Sequence, residues 1–82
     1  MIIREIKLKN RTVWLVIDQL RTYSTDFYKI EDKPEFLCYF KLTEPNSTIY
    51  GELLRDKDNK PLIFNSINDA TEKAIDLLNK KL

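Results

Sequence analysis

The chain reads as an α+β domain: an antiparallel sheet of four to five short strands with one C-terminal amphipathic helix packed on one face. Two observations carry that expectation. Ser66 to Leu82, SINDATEKAIDLLNKKL, has a helical period and a helix start signal. Everything before it breaks into β-branched or aromatic runs separated by polar turns. Its 82 residues suffice for a single domain, which at that size buries only about 60 to 65% of the surface its unfolded form exposes.

Met1 to Lys9 alternates as a half-buried strand does, with Ile2, Arg4, Ile6 and Leu8 on one side and Ile3, Glu5, Lys7 and Lys9 on the other. Asn10-Arg11 turns the chain into Thr12 to Leu20, TVWLVIDQL. That run is apolar on both sides from Val13 to Ile17, so it belongs inside the sheet, in a hairpin with the first strand. Arg21 to Glu35 has strand character in YSTDFYKI, but EDKPE breaks it with charge and Pro34; an edge strand or ordered loop is expected there. Phe36 to Thr43, FLCYFKLT, is a second central strand. Glu44 to Ser47 is a turn, and Thr48 to Arg55 returns antiparallel, with Gly51 marking a bulge or a close approach of the helix. Asp56 to Pro61, DKDNKP, opens like a calcium loop, yet Pro61 stands where that loop needs glycine and Ile67 where it needs glutamate, so it reads as a polar hairpin turn. Leu62 to Phe64 is a last short strand leading to the helix.

In the helix, Ile67, Ala70, Ala74, Leu77 and Leu78 recur at three- and four-residue steps, widened by Ile75 and Leu82. Glu72, Lys73, Asp76, Asn79 and Lys80 fall opposite. Ser66 followed by Asp69 gives a cap, Lys80 and Lys81 complement the negative end, and Asp69 with Lys73 and Asp76 with Lys80 have the favourable spacing for ion pairs. The two alanines are where a sheet can come close. Equal numbers of acids and bases on the wet face argue against a membrane-surface helix.

Composition excludes more than it assigns. With 43% hydrophobic and 33% charged residues the chain belongs to the folded class, and its apolar runs are too short to span a bilayer. The opening MIIREIKLK has charges throughout and no secretory pattern, so a cytoplasmic protein without a membrane is expected. Richness in Lys, Asn and Ile, with only two alanines, fits an AT-rich genome, bacterial or phage. The chain has no histidine, which removes the commonest general base and metal ligand together, and its one glycine leaves no phosphate-cradling loop. Cys38, the one cysteine, sits inside FLCYF and reads as a small buried hydrophobe. Carboxylate pairs such as Glu31 with Asp32 and Asp56 with Asp58 lie in charged turns with no apolar context to raise a pKa; Glu52, inside a strand next to Gly51, is the one to examine. A non-catalytic protein with no metal and no cofactor is expected.

Net charge is +1, unevenly spread: residues 1–17 carry four bases against one acid, 18–35 three against five, and the remainder balances. A helix of about 15 residues is about 22 Å long and about 10 Å wide, enough to cover one sheet face and not two. Yet the central strands are apolar on both. Val13, Leu15, Ile17, Phe36, Cys38 and Phe40 form one face, and Trp14, Val16, Leu37, Tyr39, Tyr50 and Leu54 the other. Either the sheet curls into a partial barrel, or residues 21–35 fold over the second face, or another chain covers it. The expected function is therefore a protein-binding or self-associating module, with a homodimer as one outcome, using Trp14, Val16, Leu37, Tyr39, Lys41 and Tyr50.

The alternative expectation is nucleic-acid binding, with Lys7, Lys9, Arg11 and Lys41 meeting phosphates beside the aromatics Trp14, Tyr39 and Tyr50. The order of strands followed by a helix opening F-x-S-x-x-D-A, Phe64 to Ala70, is similar in outline to the small arm-type DNA-binding domains of bacterial recombinases over roughly residues 36–82. That likeness implies a three-stranded sheet used on DNA. The chain departs from it in charge, because Phe36 to Phe64 sums to zero where such a domain is basic.

Overall fold

The computed structural model describes the backbone of residues 1–24, 29–44 and 51–82 and the side chains of 1–21, 34–44 and 51–82. Four strands, β1 (Ile2–Lys7), β2 (Thr12–Ser24), β3 (Lys29–Lys41) and β4 (Glu52–Leu53), precede one helix, α1 (Ile67–Lys81). The strands hydrogen-bond in sequence order, β1-β2-β3-β4, each antiparallel to the next. The expected α+β architecture is the observed one. Between β1 and β2 the turn closes with Leu8 N–H donating to the Arg11 carbonyl at 2.8 Å.

Residues 21–35 differ from expectation. Arg21 to Ser24 and Lys29 to Asp32 extend β2 and β3 lengthwise, in the register Arg21↔Asp32 to Ser24↔Lys29, so both central strands are 13 residues long. This part of the chain pairs within the sheet as a continuation of its two central strands. Pro34 is tolerated because the ladder breaks there. Pairing passes from Gln19↔Phe36 to Arg21↔Asp32, leaving Lys33, Pro34 and Glu35 opposite Leu20 alone, and a bulge asks no ladder N–H of proline. Residues 25–28 lie outside the described residues.

Of the turn expected over Glu44 to Ser47 and the returning strand expected over Thr48 to Arg55, residues 45–50 lie outside the described residues; within 51–55 the strand is β4, which opposes Tyr39 and Phe40. Gly51 precedes it at φ +97°, and the close approach there is to β3, not to the helix: a Cβ on Gly51 would run into the Phe40 carbonyl oxygen and lie 2.9 Å from Lys41 Cγ. The sheet edge then continues irregularly. Leu54 N–H donates to Cys38 O at 2.9 Å, and Leu62 N–H to Leu54 O at 3.1 Å. Phe64 exchanges two hydrogen bonds with Phe36, at 2.8 and 2.9 Å, as an isolated bridge rather than a strand. DKDNKP is the polar turn that joins these pieces: the Asp56 carboxylate accepts from Asp58 N–H at 2.9 Å and Lys60 N–H at 3.0 Å, and Asn59 takes a left-handed φ of 64°.

The helix begins where its signals place it. Ser66 has extended backbone and its hydroxyl accepts from Asp69 N–H at 3.0 Å, while Asp69–Lys73 and Asp76–Lys80 pair at 3.4 and 3.7 Å. Ala70, Ala74 and Leu78, spaced by four, are fully buried against Val13, Leu15, Ile17, Cys38, Phe40, Leu54 and Phe64. Ile2, Ile6, Leu8, Phe36, Leu62 and Ile67 rim this core. Leu77 departs from the expected stripe. It is 39% exposed, because at about 100° per residue it and Leu78 cannot both face the sheet, and it lines an open groove with Leu62, Phe64, Lys73 and Asp76. A hydrogen bond of 3.0 Å from the Lys9 backbone N–H to the side-chain Oδ1 of Asn79 ties the β1–β2 turn to the helix C-terminus.

Candidate functional site

Strand alternation and register together fix what lies on the sheet face opposite α1. Val13, Leu15 and Ile17 of β2 point to the core, so Thr12, Trp14, Val16 and Asp18 point away from it. The pairings extend this into rows across the sheet. One row runs Glu5, Trp14, Lys41; the next runs Ile3, Val16, Tyr39, Leu53; a third holds Asp18 and Leu37. Directly opposed side chains in such rows are about 4.5 to 5.5 Å apart at Cβ, so these residues form one continuous patch.

Burial within the patch is graded from centre to rim. Val16 is 1% exposed although it is not part of the helix-side core. Trp14, Leu37, Tyr39, Lys41 and Leu53 are half-buried, while Ile3 is 50% exposed on the edge strand. Among the described residues, no strand or helix packs over this face. Ile63, between the inward-facing Leu62 and Phe64, is 45% exposed and points outward.

Five of the six residues expected to bind a partner, Trp14, Val16, Leu37, Tyr39 and Lys41, therefore share one face, and the sixth, Tyr50, lies outside the described residues. Leu54 belongs elsewhere. It is 5% exposed in the core beneath the helix, and Leu53, opposite Tyr39, takes the outward position. In a Leu-Leu pair only the phase of the strand decides which side chain turns in, and here the pairing of Leu53 with Tyr39 fixes it. Ile3 and Glu5 join the patch from β1, where alternation alone puts them on one side of the strand and only the pairing with Val16 and Trp14 brings them to this face.

The basic residues divide. Lys7 and Lys41 stand on the outward face, and Lys9 and Arg11 are exposed in the turn that Asn79 anchors beside Lys80 and Lys81. Lys81 Nζ lies 3.4 Å from Glu52 Oε1 and 5.3 Å above the Phe40 ring, and Lys80 pairs with Asp76. Glu52 is exposed in that ion pair. Cys38 is fully buried, and desolvation pushes its thiol up to about 12. Among the described residues, no group of three His, Cys, Asp or Glu is placed to hold a metal ion, and no helix is long and apolar enough to cross a membrane.

No protein-family model, no curated protein and no solved structure matches the chain. The outline shared with recombinase arm domains thus remains a likeness of element order.

Proposed function

We propose that the protein is a small non-catalytic association module whose working surface is the sheet face opposite α1. The observation that supports this most directly is the continuity of that face: Ile3, Trp14, Val16, Leu37, Tyr39 and Leu53 adjoin across four strands, and the helix is committed to the other side. A soluble chain that presents an aromatic and an aliphatic patch of this kind lowers its free energy by covering it with protein, since the apolar area removed from water is worth about 25 cal/mol per Å². Trp14 and Tyr39 are residue types that concentrate binding energy at such contacts. Immobilised wild-type chain should retain a protein, whether a further copy or another chain, that a folded Trp14→Glu bait releases and a Lys57→Glu control keeps. Equal retention by the wild-type and Trp14→Glu baits would show that the face is not the contact.

A second reading rests on one specific observation. The Lys9–Asn79 hydrogen bond brings the bases of the β1–β2 turn to the lysines at the end of α1, so Lys7, Lys9, Arg11, Lys80 and Lys81 gather at one end of the molecule. That end is suited to a phosphate backbone. Retention on heparin at low salt, weakened by Lys9→Glu or Arg11→Glu, supports this reading, and free passage through the column ends it.

A further inference from the structure

We propose that the free edge of β1 takes an extended acidic segment of another protein as a further strand of the sheet. The ladder fixes which backbone groups are open there. Leu8 N–H donates to Arg11 O at 2.8 Å in the register that continues Lys7↔Thr12, so Leu8 and Arg11 are a hydrogen-bonded pair. Such pairs alternate along antiparallel strands, which turns the N–H and C=O groups of Ile6, Arg4 and Ile2 towards β2 and those of Ile3, Glu5 and Lys7 out of the sheet edge. The same parity reappears across the sheet, where Cys38 O accepts from Leu54 N–H and Phe36 exchanges its two bonds with Phe64. Among the described residues, nothing bonds to the three open positions.

The two edges of the sheet differ. On the far side β4 has two residues and gives way to an isolated bridge at Phe64, and a short, irregular edge of that kind resists pairing. β1 has six residues, with no proline, no glycine and no shift in its register. In strand addition the main-chain hydrogen bonds supply affinity and alternate side chains supply choice. Ile2, Arg4 and Ile6 lie half-buried on the helix side, and Ile3, Glu5 and Lys7 are exposed on the outward side. The strand that fits therefore carries an acid opposite Arg4, between two apolar residues opposite Ile2 and Ile6, and a second acid opposite Lys7. Charge makes the same choice. Arg4, Lys7, Lys9 and Arg11 stand against Glu5 in residues 1–17, and among the described residues none of these four bases has its charge in an ion pair. A second β1 fits worse: the two antiparallel registers with the longest overlap turn about Glu5 or about Arg4 and set that charge against itself.

The probe is the capped peptide acetyl-Glu-Val-Thr-Glu-Val-Val-amide, which, laid antiparallel, puts its glutamates opposite Lys7 and Arg4. In the free protein the amide hydrogens of Ile3, Glu5 and Lys7 should exchange faster than those of Arg4 and Ile6, and saturating probe should slow them about tenfold or more. Glu5→Pro removes an outward N–H and leaves the β2 ladder whole, because proline is tolerated where an edge N–H faces solvent. Its urea midpoint should stay near that of the wild type. It should bind the probe at least about tenfold more weakly, although it has lost a negative charge that repels the probe. N-methylation of the probe threonine, whose N–H meets the Glu5 carbonyl, should weaken binding to the same degree, whereas N-methylation of the second glutamate, whose N–H faces away, should cost under about threefold. Lys57→Glu, in the polar turn beyond the opposite edge, should bind the probe as the wild type does.

Failure of the probe to bind at about 1 mM overturns the proposal. So does equal binding of the parent and N-methyl-threonine probes, since the bases are then holding a polyanion rather than a strand; this comparison decides the matter even if Glu5→Pro does not fold. Wild-type chain whose mass rises from 9.8 kDa with concentration, while Glu5→Pro stays there, gives the edge to a second copy and overturns the acidic partner.

Discussion

Cys38 shows how position governs the chemistry of a single residue. A thiol in a dry interior ionises late because the thiolate would lose its hydration, and burial raises this one from 9.0 to about 12. At neutral pH it should resist alkylating reagents at a rate set by unfolding, and rapid labelling of the folded protein would contradict its placement. Because the folded chain holds the proton more tightly than the unfolded chain, the associated stability is intact below about pH 9 and is lost as pH rises towards about 12, at no more than about 1.4 kcal/mol per unit. Urea midpoints of wild type and Cys38→Ala should accordingly converge as the buffer moves from about pH 8 to about pH 10. Gly51 is the second such residue. Its φ of +97° excludes a side chain energetically, and the Phe40 carbonyl excludes one sterically, so Gly51→Ala should cost at least about 1 to 3 kcal/mol in chemical denaturation. The sequence marks the glycine as special. It does not say which neighbour comes close, since that depends on how β4 is brought back to β3.

At the scale of elements, α1 is the most legible part of the chain, because cap, dipole and ion pairs are local and all agree on one start and one end. What the sequence leaves open is the rotation of the helix about its axis. Leu77 and Leu78 compete for the core, and the buried ladder of Ala70 and Ala74 settles the matter for Leu78. Two substitutions separate the outcomes: Leu78→Ala should destabilise by about 2 to 5 kcal/mol, whereas Leu77→Ala should cost well under about 1 kcal/mol, measured by urea unfolding. Ala74→Leu should also destabilise, by about 1 to 3 kcal/mol, because no room exists between helix and sheet there. The β2–β3 ribbon was less legible. Charge and Pro34 argue against a strand wherever the ladder is regular, and the bulge opposite Leu20 is a tertiary arrangement that removes the objection.

For the whole molecule, the helix covers one side of a sheet whose described strands are apolar on both, and the association proposed above would relieve that mismatch in covering area. Retention of a protein by the wild-type chain and its loss in Trp14→Glu are the measurements that bear on it. The amphipathic helix, its cap, the apolar character of both strand faces and the lack of histidine and glycine chemistry were all determined by the sequence alone, because each depends on spacing or composition within a short stretch. Register, the outward turn of Leu53 rather than Leu54, the lengthening of β2 and β3 across residues 21–35 and the joining of Glu5, Trp14 and Lys41 in one row were decided only by tertiary structure. Those features depend on which strand lies beside which, and a shift of one residue in pairing, invisible in local sequence, turns every side chain of a strand to the other face.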